Sequence, residues 1–123
     1  MTQTRMGLGR RGEQDVHDWL VERGWPVLTR NWRCREGEID LVAVDGDTLV
    51  VVEVKTRWST RAGHPLEAVT QRKLDRLYRL ATLFLARERE RMGLPYFSRI
   101  RVDVIGVLMG SGQPEFFPVR GAR

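Results

Sequence analysis

Apolar residues recur at helical spacing in two stretches of the chain, and elsewhere they alternate or run together in short blocks. From about Gly12 to Arg23, the residues Val16, Trp19, Leu20 and Arg23 share one side, and Gly24 follows as a stop, so an amphipathic helix is predicted. Trp25 to Thr29 is a short apolar stretch, a strand or the approach to one. Asn31 to Gly37 is polar, charged and turn-like. Glu38 to Val44 and Leu49 to Thr56 are dominated by Val, Leu and Ile, which fit a pleated surface, and Asp45-Gly46-Asp47-Thr48 between them predicts a β-hairpin. A long helix is predicted from about Leu66 to Arg91, with Val69, Lys73, Leu77, Leu80 and Phe84 on one stripe and Leu74, Tyr78, Ala81 and Leu85 beside it. Arg87, Arg89 and Arg91, placed before Gly93 and Pro95, suit the negative carbonyl end of that helix. Ile100 to Leu108 reads as a further strand, and Glu115 to Val119 as a last edge strand closed by Pro118.

Helix, strands, helix, strands is the order of an α/β domain, a central sheet with helices on its faces. Mixed strand directions are expected, because a tight hairpin is antiparallel while the long helix can serve as a crossover. A length of 123 residues with 41% hydrophobic content suits a single domain spanning 1–123, with loose segments only at the two ends and at Gly110 to Pro114. The sequence has no apolar run long enough to span a bilayer, and its polar, basic start from Met1 to Arg11 does not read as a signal peptide, so a cytoplasmic protein without membrane association is expected. Cys34 is the only cysteine and there are 2 histidines, which excludes a Cys/His zinc framework and leaves oxygen as the ligand for any metal.

Charge sharpens the picture. The net charge is +5, and all but Lys55 and Lys73 of the 21 basic residues are arginine, whose planar fork can hold phosphate bidentately. A polyanionic partner is favoured, since phosphate is attracted to a basic surface and counterions are released on contact. The acidic hairpin supplies the chemistry. Alternate side chains of a strand share a face, so Glu53 and Lys55 project together while Val50, Val52 and Val54 point the other way. If Val44 pairs with Leu49, Asp40 falls opposite Glu53 and Glu38 opposite Lys55. Two facing carboxylates call for a cation. Mg²⁺ fits best, because it takes one or two carboxylates with waters and phosphate oxygens, and Mn²⁺ can substitute. Lys55 could orient or deprotonate a water, or stabilise charge on the phosphate. The same residues would equally serve as a cross-strand salt bridge on a solvated strand face.

The run from Gly37-Glu38-Ile39-Asp40-Leu41-Val42 to Leu49-Val50-Val51-Val52-Glu53-Val54-Lys55-Thr56-Arg57 resembles the signature of the YraN family, small bacterial proteins placed in the PD-(D/E)xK superfamily near archaeal Holliday-junction resolvases. The resemblance covers nearly the whole chain, taking in Gly12-Glu13, Trp19-Leu20, Gly24, Asn31 with Arg33, Gly63, Pro65, Val69, Lys73 and Val102-Asp103-Val104. It departs from the family pattern at Val16 and Val51, where relatives usually carry Ala and Phe. It implies a restriction-endonuclease-like fold in which Asp40 and Glu53 are metal carboxylates, the carbonyl of Val54 is a further ligand and Lys55 is the catalytic amine. Glu13 looks like the glutamate that resolvase-like members contribute from the first helix, although a first-turn carboxylate is also favoured by the helix dipole. Homodimers are common among such relatives, so a homodimer is the expectation by analogy.

Around that core, Lys73 sits on an apolar stripe, where its amine either reaches a polar site or snorkels to water. Arg57 and Arg61 are candidate phosphate contacts, Trp58 and Trp32 candidate stacking surfaces for unpaired bases, and His64 a candidate proton shuttle. The leading expectation is a Mg²⁺- or Mn²⁺-dependent DNA endonuclease acting on branched or partly single-stranded substrates. The alternative is a nucleic-acid-binding partner protein that keeps the fold without catalysis.

Overall fold

The molecule is organised around the hairpin that the Val-rich runs predict. A computed structural model describes residues 5–61, 63–110 and 112–123. Met1 to Thr4 of the basic amino terminus, and Ser111 of the Gly-rich stretch, lie outside the described residues. Strand β2 (Gly37–Asp45) and strand β3 (Thr48–Arg57) pair antiparallel around a two-residue turn, with Val44 opposite Leu49 as expected. Gly46 takes the left-handed backbone (φ 62) that this turn needs and that a side chain would disfavour.

Strand β1 (Val27–Cys34) corrects the reading of Asn31 to Gly37 as a turn. Those residues up to Cys34 continue a strand that pairs antiparallel with β2, and Cys34 lies opposite Gly37 across the true turn. The polarity of Arg30, Asn31, Arg33 and Arg35 misled because an edge strand needs only its backbone groups to join the ladder. Its side chains can stay in water, as Arg30, Asn31 and Arg33 do.

Helix α1 (Arg5–Glu22) begins seven residues earlier than the periodicity indicates, and buries Val16 and Leu20 completely. The second helix starts later than Leu66. A single 3₁₀ turn (Pro65–Ala68) and an extended Val69 come first, and helix α2 (Gln71–Met92) then opens with the Thr70 hydroxyl accepting from the Lys73 N–H at 3.2 Å. Gly93, in left-handed conformation, closes it. Helix α2 is the crossover that makes strand β4 (Arg99–Leu108) parallel to β3, and strand β5 (Glu115–Val119) adds antiparallel to β4. The result is a mixed five-stranded sheet in the order β1-β2-β3-β4-β5, an α/β architecture with a helix on each face.

Strand alternation divides the core in two. Val42, Leu49, Val51, Val102 and Val104 pack under Leu74, Leu77, Leu80, Ala81 and Phe84 of α2. Leu41, Ala43, Val50, Val52, Val54, Ile105 and Val107 pack under Val16 and Leu20 of α1. Among the described residues, no helix is long and apolar enough to cross a membrane.

Gly12 lets α1 come close to the sheet. A Cβ there would overlap the Thr56 hydroxyl and lie 3.0 Å from its Cγ2. Gly12→Ala should therefore destabilise the protein, since overpacking costs about 1–3 kcal/mol against the ~1 kcal/mol gained from the better helix former. A lower Tm in thermal denaturation is the expected outcome; an unchanged or raised Tm would show that α1 is not held in contact with β3.

Candidate active site

The strict alternation of β2 fails at one residue. Ile39 is buried beneath α2 and Leu41 beneath α1, although they are two positions apart, so the strand reverses its faces at Asp40. Asn31, between the Arg30–Leu41 and Trp32–Ile39 pairs of the neighbouring strand, has φ 52, an unusual left-handed conformation for a residue with a side chain. On the other side, the β2–β3 pairing runs from Asp45–Thr48 to Leu41–Val52. Asp40 therefore does not join the ladder opposite Glu53, as simple register predicts. Its carboxylate takes the place of a backbone partner and accepts from the Val54 N–H at 2.8 Å. Glu38, expected opposite Lys55, instead lies 3.5 Å from the Arg33 guanidinium.

Where the two strands part, an open cleft of about 710 Å³ is lined by Glu13, Asp40, Glu53, Val54, Lys55 and Arg57, with Trp58 and Arg61 at the continuation of β3. The convergence expected from the sequence is thus present, reached by a break in the ladder and not by ladder pairing. Glu53 is only 6% exposed, and its carboxylate lies 3.5 Å from the Lys73 ammonium on α2. Lys73 therefore reaches a polar group on the α2 face of the sheet, and it does not line the cleft. Lys55 has no ion-pair partner among the described residues, nor do Arg57 and Arg61, so these cations are available to an anion entering the cleft.

The electrostatics of the acids are strained. Burial, and then the charge of Glu53, push the Asp40 carboxyl up to about 7 against the opposing effect of the Val54 N–H. Glu13 is also raised, by burial and by the charge of Asp40. It is held from the other side by Asn31, whose amide nitrogen, turned toward it, donates to the two carboxylate oxygens at 3.2 and 3.3 Å. Among the described residues, no three Asp, Glu, His or Cys side chains are gathered closely enough to hold a metal ion between them. The two-carboxylate set of Asp40 and Glu53 still fits a hard cation. A second charge there is held off by the first, and Mg²⁺ asks for only one or two protein carboxylates, with waters completing its shell.

Two of the more distant candidates are structural. The Trp32 ring meets Phe84 edge-on at 5.5 Å and its Nε1 donates to Glu88, so it belongs to the core beneath α2 and offers no stacking surface. His64 accepts from the Leu66 N–H through Nδ1 at 3.2 Å and packs against Phe117, which makes it the cap of the 3₁₀ turn and not a proton shuttle. Trp58 is 42% exposed at the cleft. The sequence reading missed two contributors. Asn31 had been absorbed into a supposed turn, and Thr56, packed under Gly12, carries no pattern of its own; the Gly12-Glu13 dipeptide was the one available signal of close approach.

A proton held by the Asp40–Glu53 pair up to about pH 7 has a consequence for stability. The folded-state pKa lies above that of an unfolded aspartate, so its contribution is present in full at about pH 4 and is lost as the pH rises through 7. The Tm of metal-free protein should fall between about pH 5 and 8, Asp40→Asn should flatten that slope, and added Mg²⁺ should raise the Tm chiefly at the alkaline end. A wild-type slope identical to that of Asp40→Asn would show that the two acids do not share a charge-poor environment.

Comparison with known proteins agrees with the extent of this arrangement. A family model described as Uncharacterised protein family UPF0102 matches residues 12–107, from Gly12 within α1 to Val107 in β4. A UPF0102 protein of Arthrobacter sp. is 50% identical over 93% of this chain and 93% of its own. One from Streptomyces griseus is 50% identical over 85% of each chain, and one from Mycobacterium tuberculosis 46% identical over 98% of this chain and 94% of its own. With the cleft residues Glu13, Asp40, Glu53, Val54, Lys55, Arg57, Trp58 and Arg61 all inside the matched region, the chain belongs to the UPF0102 family.

Proposed function

We propose that the protein is a metal-dependent DNA endonuclease of the restriction-endonuclease-like, PD-(D/E)xK type, hydrolysing phosphodiester bonds in branched or partly single-stranded DNA. The observation that carries this reading is the buried Asp40–Glu53 pair, one of whose charges is suppressed, facing an open cleft with the unpaired ammonium of Lys55 beside it. Lys73 of α2 forms an ion pair with Glu53 at 3.5 Å, but among the described residues no cation pairs with Asp40, whose carboxylate accepts from the Val54 N–H.

A divalent cation at Asp40, Glu53 and the Val54 carbonyl would supply Lewis acidity toward a phosphate oxygen and a more acidic water. The chain itself supplies the rest. The Val54 N–H fixes one Asp40 oxygen at the cleft that both residues line. Lys55 can hold a non-bridging phosphate oxygen or move a proton at the attacked phosphorus, and the Arg57 and Arg61 guanidiniums can bind flanking phosphates of the strand. Glu13, with its raised carboxyl, can accept a proton on the α1 side of the cleft.

Lys73 beside Glu53, together with the lack of a three-acid cluster among the described residues, favours the second reading, a DNA-binding partner protein without catalysis. Incubation of purified protein with Mg²⁺ or Mn²⁺ and duplex, flapped, branched and single-stranded DNA separates the two. The expected result is cleavage abolished by Asp40→Ala and Glu53→Ala and reduced at least a hundredfold by Lys55→Ala, in line with the loss of a general acid–base group. Metal-independent, salt-sensitive DNA binding with no cleavage of any substrate, unaltered by Glu53→Ala, would establish the partner role in its place.

A further inference from the structure

A second hollow lies on the α1 face of the sheet, beyond the far end of the helix from Glu13. It encloses about 160 Å³ and is lined by Trp19 and Trp25, the apolar Ile105 and Pro118, and Arg23 and Arg120. Its floor is Asp103, which is 4% exposed. Arg101 donates to both oxygens of this carboxylate, Nε at 2.8 Å and Nη2 at 3.0 Å, and the Gly121 N–H donates to one of them at 2.8 Å. Arg101 and Arg120 also share the carboxylate of Asp45. The walls of the hollow are therefore fixed by a compensated buried network.

Each indole already carries a planar cation. The Arg23 guanidinium stands 3.7 Å from the Trp19 ring centre, and those of Arg101 and Arg120 stand 5.3 and 5.6 Å from Trp25. Arg23 is exposed and has no carboxylate partner among the described residues, so its charge is free to meet an anion. These are the parts of a site for one flat ring bearing a phosphate. The volume is well below the roughly 300–1,000 Å³ of ordinary small-molecule pockets, which matches a single base. Aromatic and guanidinium planes supply stacking, and a cation waits at the mouth.

We propose that this hollow is a stacking slot for one unpaired nucleotide of a DNA strand, with the base between Trp19 and Trp25 and its phosphate on Arg23. The proposal rests on the nucleic-acid reading above and gives that reading its substrate class. A base in a duplex is stacked and paired and cannot enter; an unpaired one can. Three hydrogen bonds already engage the Asp103 carboxylate, two of them at Oδ1, and the slot's main contacts to a base are ring faces, which every base can use. Helix α1 connects it to the cleft. At 1.5 Å per residue, Trp19 lies about 9 Å and Arg23 about 15 Å along the axis from Glu13, within reach of a few nucleotides of the same strand.

Fluorescence anisotropy of labelled oligothymidylate, measured with the full chain in EDTA, tests this directly. Arg23→Ala changes an exposed residue, and Trp25→Leu keeps apolar bulk while removing the ring; a melting curve for each verifies folding. Each should weaken single-strand binding by roughly tenfold, within the range measured for loss of one base–aromatic stack, and should weaken duplex binding far less. Photo-crosslinking of the same strand carrying iodouracil should label the peptides containing Trp19 or Trp25. Unchanged affinity in both folded variants, or crosslinks confined to Trp58, would overturn the slot. So would displacement of the strand by an equal concentration of free thymidine monophosphate, which would make the hollow a mononucleotide site. Because the readout needs no metal and no cleavage, slot-dependent binding without hydrolysis would sink the nuclease reading alone. Hydrolysis with both variants binding normally would sink the slot alone.

Discussion

The single hydrogen bond from the Val54 N–H to the Asp40 carboxylate governs the geometry of the cleft. At that point β2 gives up its backbone pairing with β3 and supplies a side chain in its place, so the ladder is interrupted without leaving the donor of a buried strand unsatisfied. Everything near the cleft follows from that exchange. The strands part, Asp40 is aimed along the gap, and the faces of β2 reverse so that Ile39 and Leu41 enter different cores. Asn31, in its left-handed conformation on the next strand, turns its amide toward Glu13, and the register shift of the β1–β2 pair lies away from it, between Val27 and Thr29.

The sheet carries two desolvated acids, Asp103 and Asp40, in very different circumstances. Asp103 accepts three hydrogen bonds, two of them from the bidentate Arg101, and its charge is met on the spot. Asp40 receives one backbone hydrogen bond and faces another carboxylate, and its carboxyl is pushed far above the ordinary range. A charge buried without a partner is costly, so the Asp40 carboxyl is pushed toward its neutral form while that of Asp103 is compensated by donors. The contrast lies within one molecule and one sheet.

The two faces of the sheet divide the labour. Beneath α2 the packing is largely aliphatic around Phe84, and Lys73 of that helix places its ammonium 3.5 Å from the Glu53 carboxylate. Beneath α1 the packing is thinner and bordered by indoles and guanidiniums, with Gly12 removing the side chain that would hold the helix away from Thr56. The cleft and the Trp19–Trp25 hollow both open along α1, so that helix is the element against which any long polyanion would lie.

The local pattern was enough to place the hairpin, the register at Val44 and Leu49, the crossover helix and the parallel strand after it. Those features rest on short-range periodicity and turn chemistry, which a sequence states openly. Alternation was enough to put Glu53 and Lys55 on one face, whereas Asp40 joins them through a break in the ladder. The first strand was legible in its apolar start at Val27 to Thr29, and its second half was hidden because its ladder is made by backbone groups while Arg30, Asn31 and Arg33 remain polar. The start of α2 was hidden because Thr70 outcompeted Leu66 as the place where the helix could be capped. Tertiary structure alone decided that Asp40 bonds to Val54 instead of pairing across from Glu53, that Asn31 holds Glu13, that Trp32 and His64 are packing residues, and that Trp19 and Trp25 line one hollow. Each of these depends on contacts between residues distant in the chain, whose energies are set by burial and by the charges of neighbours that no local pattern records.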